Sequence, residues 1–173
     1  MRKLLDWVYR MAGAAAALCI VLVCLLILAR VSGRLMGIVV PSSDDFAGFL
    51  LAAASFLGLA YTFQTGGHIR VSLFISRFND SFALQAERFT LVMASVLIGY
   101  LSWQLVYLVW ESKIYEELSS GYIPVPLWIV QLPMAVGMCV FCLSIWDQTV
   151  QSFIKGKRLP LSEDEQLAAG VDE

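Results

Sequence analysis

Four stretches without a charged side chain, Met11 to Ala29, Phe46 to Gly67, Phe89 to Trp110 and Val125 to Trp146, fill about half of the 173-residue chain. Each runs 19 to 22 residues. At about 1.5 Å rise per residue that is roughly 28 to 33 Å of helix, enough to cross a hydrocarbon core of about 30 Å. The pattern predicts an all-α integral membrane protein with four transmembrane helices over 11–29, 46–67, 89–110 and 125–146. Residues 1–155 are then one membrane domain. The remainder, 156–173, turns acidic and small after Lys155, Lys157 and Arg158 and is expected to be a disordered polar tail. Connectors of 14 to 21 residues leave no room for a water-soluble catalytic domain.

Charge sets the expected orientation. Arg2, Lys3, Arg10, Arg70, Arg77, Arg88, Lys155, Lys157 and Arg158 fall on one side of the spans, against Arg30, Arg34 and Lys113 on the other. This excess predicts both termini in the cytoplasm. The opposite side carries Asp44, Asp45, Glu111, Glu116 and Glu117. The first apolar stretch exceeds a signal-peptide core and runs into Arg30 without a small-residue cleavage site, so it reads as a retained span.

The connectors carry their own patterns. Residues 30–45 are apolar between their charges and are expected to lie along the outer interface up to Pro41. Ser42 and Asp45 stand at capping-box spacing, and Asp44 and Asp45 occupy the positive first turn of the second span. Those carboxylates serve the helix start, or they also contact a partner protein. Between spans two and three, Val71, Phe74, Ile75, Phe78 and Phe82 recur at helical spacing among His68, Arg70, Arg77 and Asp80. This predicts an amphipathic segment on the inner surface, acting as an interfacial anchor on membrane lipids or as an arm that grips a membrane partner. Pro124 and Pro126 mark the entry to span four beside Trp128, a candidate interfacial anchor. Pro133 lies inside that span, where it kinks a helix. Trp7, Trp110 and Trp146 complete two expected aromatic belts. Gly13 with Ala17, Gly48 with Ala52, and Ser95 with Gly99 supply small residues four apart, which permit close helix contact in lipid.

Several chemistries lack their residues. Ion-coupled carriers keep ionisable groups within their spans, and these four spans have none. Their polar side chains, Gln131 near Pro133 among them, serve hydrogen bonds between helices. No internal repeat supports an inverted-repeat core. His68 is the only histidine, so no bis-histidine haem forms within one chain, and no zinc ligand set gathers. No cofactor and no metal site is expected. Cys139 and Cys142 form a C-x-x-C pair, but Cys139 lies about 22 Å below Pro124 along the axis, far from the compartment where disulfides exchange. All four cysteines, including Cys19 and Cys24, read as buried packing residues. No nucleophile and base can be paired, so the chain does not read as an enzyme.

Asp44-Asp45-Phe46-Ala47-Gly48, Gly67-His68-Ile69-Arg70-Val71, and Ile123-Pro124-Val125-Pro126-Leu127-Trp128 followed by Pro133 and Gly137 stand in this order on four spans. In that order and topology, over roughly residues 1 to 155, the chain resembles the small membrane subunit of tripartite ATP-independent periplasmic (TRAP) transporters, the DctQ-type family. The family often carries an acidic residue where Ser72 follows Val71 here. The resemblance implies a bacterial inner-membrane subunit partnered with a large multi-span permease that holds the substrate and sodium sites. A periplasmic binding protein would deliver an organic acid, and nucleic acid is not among the expected partners. Asp44, Asp45, Phe46, Gly48, Gly67, His68, Arg70, Phe74, Phe78, Pro124, Pro126, Trp128 and Pro133 become the expected partner-interface residues. Two rival classes stand beside this one: a small stand-alone membrane enzyme of thiol-disulfide or lipid-modifying type, and a self-associating scaffold or channel.

Overall fold

The computed structural model describes residues 2–64 and 80–155. They form four helices, α1 (Arg2–Leu35), α2 (Ser43–Gln64), α3 (Asp80–Ile114) and α4 (Leu127–Lys155). All four are long and apolar enough to cross a membrane. α1 and α3, at 34 and 35 residues, extend well beyond the charge-free stretches. Charged residues end a hydropathy window but not a helix. Arg10, Arg30, Arg88 and Lys113 lie inside the helices, since arginine and lysine are good helix formers whose long stems carry the charge away from the backbone. α2 ends at Gln64, so the expected span end at Gly67 lies outside the described residues. So do His68, Arg70, Phe74 and Phe78, most of the expected amphipathic segment, and the tail from 156 onward.

The first connector is shorter than its charges suggested, because α1 runs through Arg30 and Arg34 to Leu35. It stops where Gly37 takes the left-handed region at φ 75°. The Ile38 N–H then reaches the Gly33 carbonyl at 2.8 Å and the Gly37 N–H reaches the Arg34 carbonyl at 3.3 Å. This Schellman closure satisfies the last carbonyls of α1. Leu35, Met36, Ile38 and Val39 around this turn are strongly exposed.

The helices are neighbours in the order α1–α2–α4–α3, with only marginal contact between α1 and α4. They make an open row and not a closed bundle. Only 6% of the apolar stretch of α3 and 11% of that of α1 are buried, against 33% for α4. The core lies where α2 and α4 cross, with Ala60, Met138, Phe141 and Ile145 buried together beside Tyr9 of α1. Gly137 permits that crossing, since a Cβ on it would stand 2.7 Å from the Leu57 nitrogen. Gly13 plays a similar part on α1, where a Cβ would stand 2.8 Å from Cγ of Tyr61 on α2.

The spaced small residues divide in use. Gly48 and Gly99 face open space, and Ala17 is exposed. Ser95 instead hydrogen-bonds Thr149 of α4 at 2.8 Å. Two further polar links tie α3 to α4. The Ser102 hydroxyl lies 3.1 Å from the Met138 carbonyl, and Arg88 donates to the Ser152 carbonyl while lying 5.2 Å from the Phe153 ring centre. Pro133 lies inside α4. Two residues before it, the Gln131 side-chain oxygen is buried with no hydrogen-bond partner. The cysteines depart from the expectation of burial. Cys19, Cys139 and Cys142 are half-buried and Cys24 is exposed, because an open row covers each helix on fewer sides than a bundle does.

Candidate functional site

The α1–α2 and α3–α4 connections lie at the same end of the row, here the loop end. There α2 begins in an unusual way. Ser42 holds φ 53°, and its carbonyl accepts the Phe46 N–H at 3.1 Å as the first helical bond. Its hydroxyl does not close a capping box with Asp45, contrary to the sequence spacing. Ser42 Oγ accepts the Ile123 N–H at 2.9 Å, 81 residues further along the chain. Ser43, next to it, is buried. The start of α2 is therefore tied to the α3–α4 loop, and not only to its own first turn.

The two neighbouring carboxylates have separate partners. Asp44 forms an ion pair with Arg30 of α1, both side chains being at least half exposed. Asp45 packs against Gly121, where a Cβ would stand 3.0 Å from the Asp45 carboxyl carbon. Glycine at 121 is what allows the loop to approach α2 so closely. Negative side chains in this first turn also sit at the positive end of the α2 dipole.

The α3–α4 loop is itself braced. Glu116 takes φ 50° and the Glu117 N–H returns to the Ser112 carbonyl at 3.1 Å, ending α3 with a non-glycine residue in the left-handed position. The buried Ser112 hydroxyl donates to Glu117 Oε2 at 2.8 Å. Ser119 N–H to Val125 and Leu127 N–H to Glu117 complete a short antiparallel pairing in which Leu118 faces Pro126. Pro124 and Pro126 thus lie just before α4 and not in its first turn. Proline suits this place, because the Glu117 and Ser119 carbonyl and amide groups bond to Leu127 and Val125, and no proline N–H is called for. The Lys113 ammonium lies 5.6 Å from the Trp128 ring centre, a cation–π contact joining α3 to α4.

Of the residues expected at a partner interface, Asp44, Asp45, Pro124, Pro126 and Trp128 gather at this end. Phe46 stacks edge-on against Phe49 at 6.5 Å, and Gly48 faces open space. Pro133 lies deeper in α4. Sequence reasoning missed Arg30, Ser42, Gly121 and Ser112 as organisers of the junction. Glycine at 121, directly after Ser119-Ser120 in a polar loop, was the available signal. An open apolar groove of about 440 Å³ descends from here between α3 and α4, from Lys113 and Trp128 past Leu132 and Val136 to Cys139.

Chemically the junction is a polar cap with exposed carboxylates on Asp44, Glu116 and Glu117. Among the described residues no cluster of three or more histidine, cysteine, aspartate or glutamate side chains gathers that could hold a metal ion. A comparison with curated proteins returned no match. The sequence profile of one family, described as tripartite ATP-independent periplasmic transporters, DctQ component, matches residues 19–155. That stretch takes in the second half of α1, all of α2 and α3, and α4 to its last residue, so the chain belongs to the DctQ component family of TRAP transporters.

Proposed function

We propose that this chain is the small integral membrane subunit of a sodium-coupled TRAP transporter that imports an organic acid. It braces the large permease subunit and helps to dock the periplasmic substrate-binding protein. The observation that carries this reading is the open row of helices within a DctQ-family chain. Two long helices, α1 and α3, bury little of themselves within the chain, and their free faces suit a larger membrane partner. In this reading the loop end faces the periplasm and both termini the cytoplasm, in line with the lysine and arginine excess. Sodium and cargo sites fall to the permease, since the charge-free spans offer no ionisable ligand. The loop-end cap, with its exposed acidic residues, is the surface available to the binding protein.

The test is gentle solubilisation of the protein from its native membrane, with identification of what stays bound by mass spectrometry. Recovery of a large permease at equal stoichiometry is the expected result. Recovery of the chain alone, or only as a homo-oligomer, would overturn the subunit reading and revive the enzyme and channel alternatives.

A further inference from the structure

One flank of α3 carries an unbroken seam of large side chains. Met93, Val96, Tyr100, Trp103, Tyr107 and Trp110 recur at alternating steps of three and four, and each is more than half exposed. The contacts of α3 with α4 run along Ser95, Ile98, Ser102 and Leu105. At 100° per residue the seam lies about 150° around the helix from that line, so it faces away from the rest of the chain. A step of 3.5 residues is the spacing at which two helices keep one seam in contact along their length.

The chemistry of the seam distinguishes a protein partner from lipid. Tyr100 and Trp103 lie about 15 to 23 Å along the axis from both Arg88 and Lys113, in the middle of the span. Tyrosine and tryptophan favour the membrane interfaces, where their polar atoms find water. At mid-depth an unpartnered N–H or O–H is costly, and an acyl chain offers it no acceptor. The Gln104 amide donates to the Tyr100 oxygen at 2.6 Å, which leaves the Tyr100 hydroxyl proton directed elsewhere. Trp103 and Tyr107 have no hydrogen bond among the described residues. Three donors therefore wait on one exposed flank within three turns. Close helix packing in lipid needs small residues on at least one side, and this seam has none. A second copy would set bulky rings against bulky rings.

We infer that the Tyr100–Trp103–Tyr107 flank of α3 is the seat of a transmembrane helix of the large permease, one with small residues along its contact face and a hydrogen-bond acceptor at mid-membrane depth. This rests on the subunit reading above and names the surface that serves it. The groove between α3 and α4, which shares Trp110 with the seam, continues the contact toward the loop end.

The test uses the full chain co-expressed with its permease. A photo-crosslinking benzophenone amino acid replaces Trp103, and irradiation in the membrane is followed by purification through the small subunit. A covalent adduct with the permease is the expected product. A lipid adduct only, or an adduct with a second copy, would overturn the inference while co-purified permease still upheld the subunit reading. Absence of permease from the unsubstituted preparation would instead defeat the subunit reading itself. A second variant, Trp103→Phe, keeps an aromatic ring and removes the indole N–H. It is expected to lower the permease retained after detergent washing by about threefold, with the thermal melt of the isolated chain unchanged. Equal retention together with no permease adduct from position 103 would exclude this flank as the seat.

Discussion

Gly137 lies so close to Phe56 that a Cβ in place of its hydrogen would stand 2.6 Å from the Phe56 carbonyl carbon. The obstruction is backbone, which no rotamer change can move aside. Gly137→Ala is expected to push α2 and α4 apart at the centre of the core and cost about 1 to 3 kcal/mol. Gly99→Ala, at a glycine with open space around it, is expected to be neutral or to gain up to about 1 kcal/mol from helix propensity. Thermal unfolding of both variants in one detergent compares them. Equal melting temperatures would mean that the α2–α4 crossing is not the tight point of the fold.

The Asp45–Gly121 contact invites a double-mutant cycle. Gly121→Ala alone is expected to destabilise by about 1 to 3 kcal/mol, because the added methyl meets a short side chain with little freedom to yield. Asp45→Ala clears that space, so the double variant is expected to recover at least about 0.5 kcal/mol relative to the sum of the singles. Strict additivity would show that the loop and α2 do not press on each other.

Glu116 invites the opposite kind of change. A side chain at φ 50° costs about 1 kcal/mol relative to glycine. Glu116→Gly is therefore expected to raise the unfolding midpoint, since Ser112 is bonded by Glu117 and not by Glu116. A lowered midpoint would assign Glu116 a stabilising contact that outweighs its backbone strain.

Asp44 separates docking from folding. Its pair with Arg30 is solvent-exposed at both ends, so Asp44→Asn is expected to cost no more than about 0.5 kcal/mol, and less at high salt. Weakened capture of the substrate-binding protein by this variant, with its melt unchanged, would support the acidic cap as the docking surface. Asp45→Ala cannot serve that purpose, because Asp45 also holds the loop.

The four spans were legible because nineteen or more apolar residues without charge have few other homes. Their ends were less so. Arg30 and Arg34 look like the close of a span, yet the stop comes at Gly37, where the backbone turns left-handed. Ser42 and Asp45 carry the spacing of a local cap, and the hydroxyl is claimed instead by Ile123, a contact across 81 residues that no local pattern announces. Pro124, Pro126 and Trp128 stand out by residue type, and they lie at the same end of the row as Asp44 and Asp45. The reason, Gly121 and the short pairing of Leu118 with Pro126, depends on the folded loop. Helix order was not legible at all, because four uniformly apolar rods give no hint of which flank meets which.

The order α1–α2–α4–α3 has a topological corollary. A conduit needs walls on every side, and four rods standing in line have two ends that never meet. Among the described residues, a single copy of this chain encloses no lumen, because the outer helices α1 and α3 have no partner across the row. The four described helices are a partition in shape, with two broad faces and two free edges.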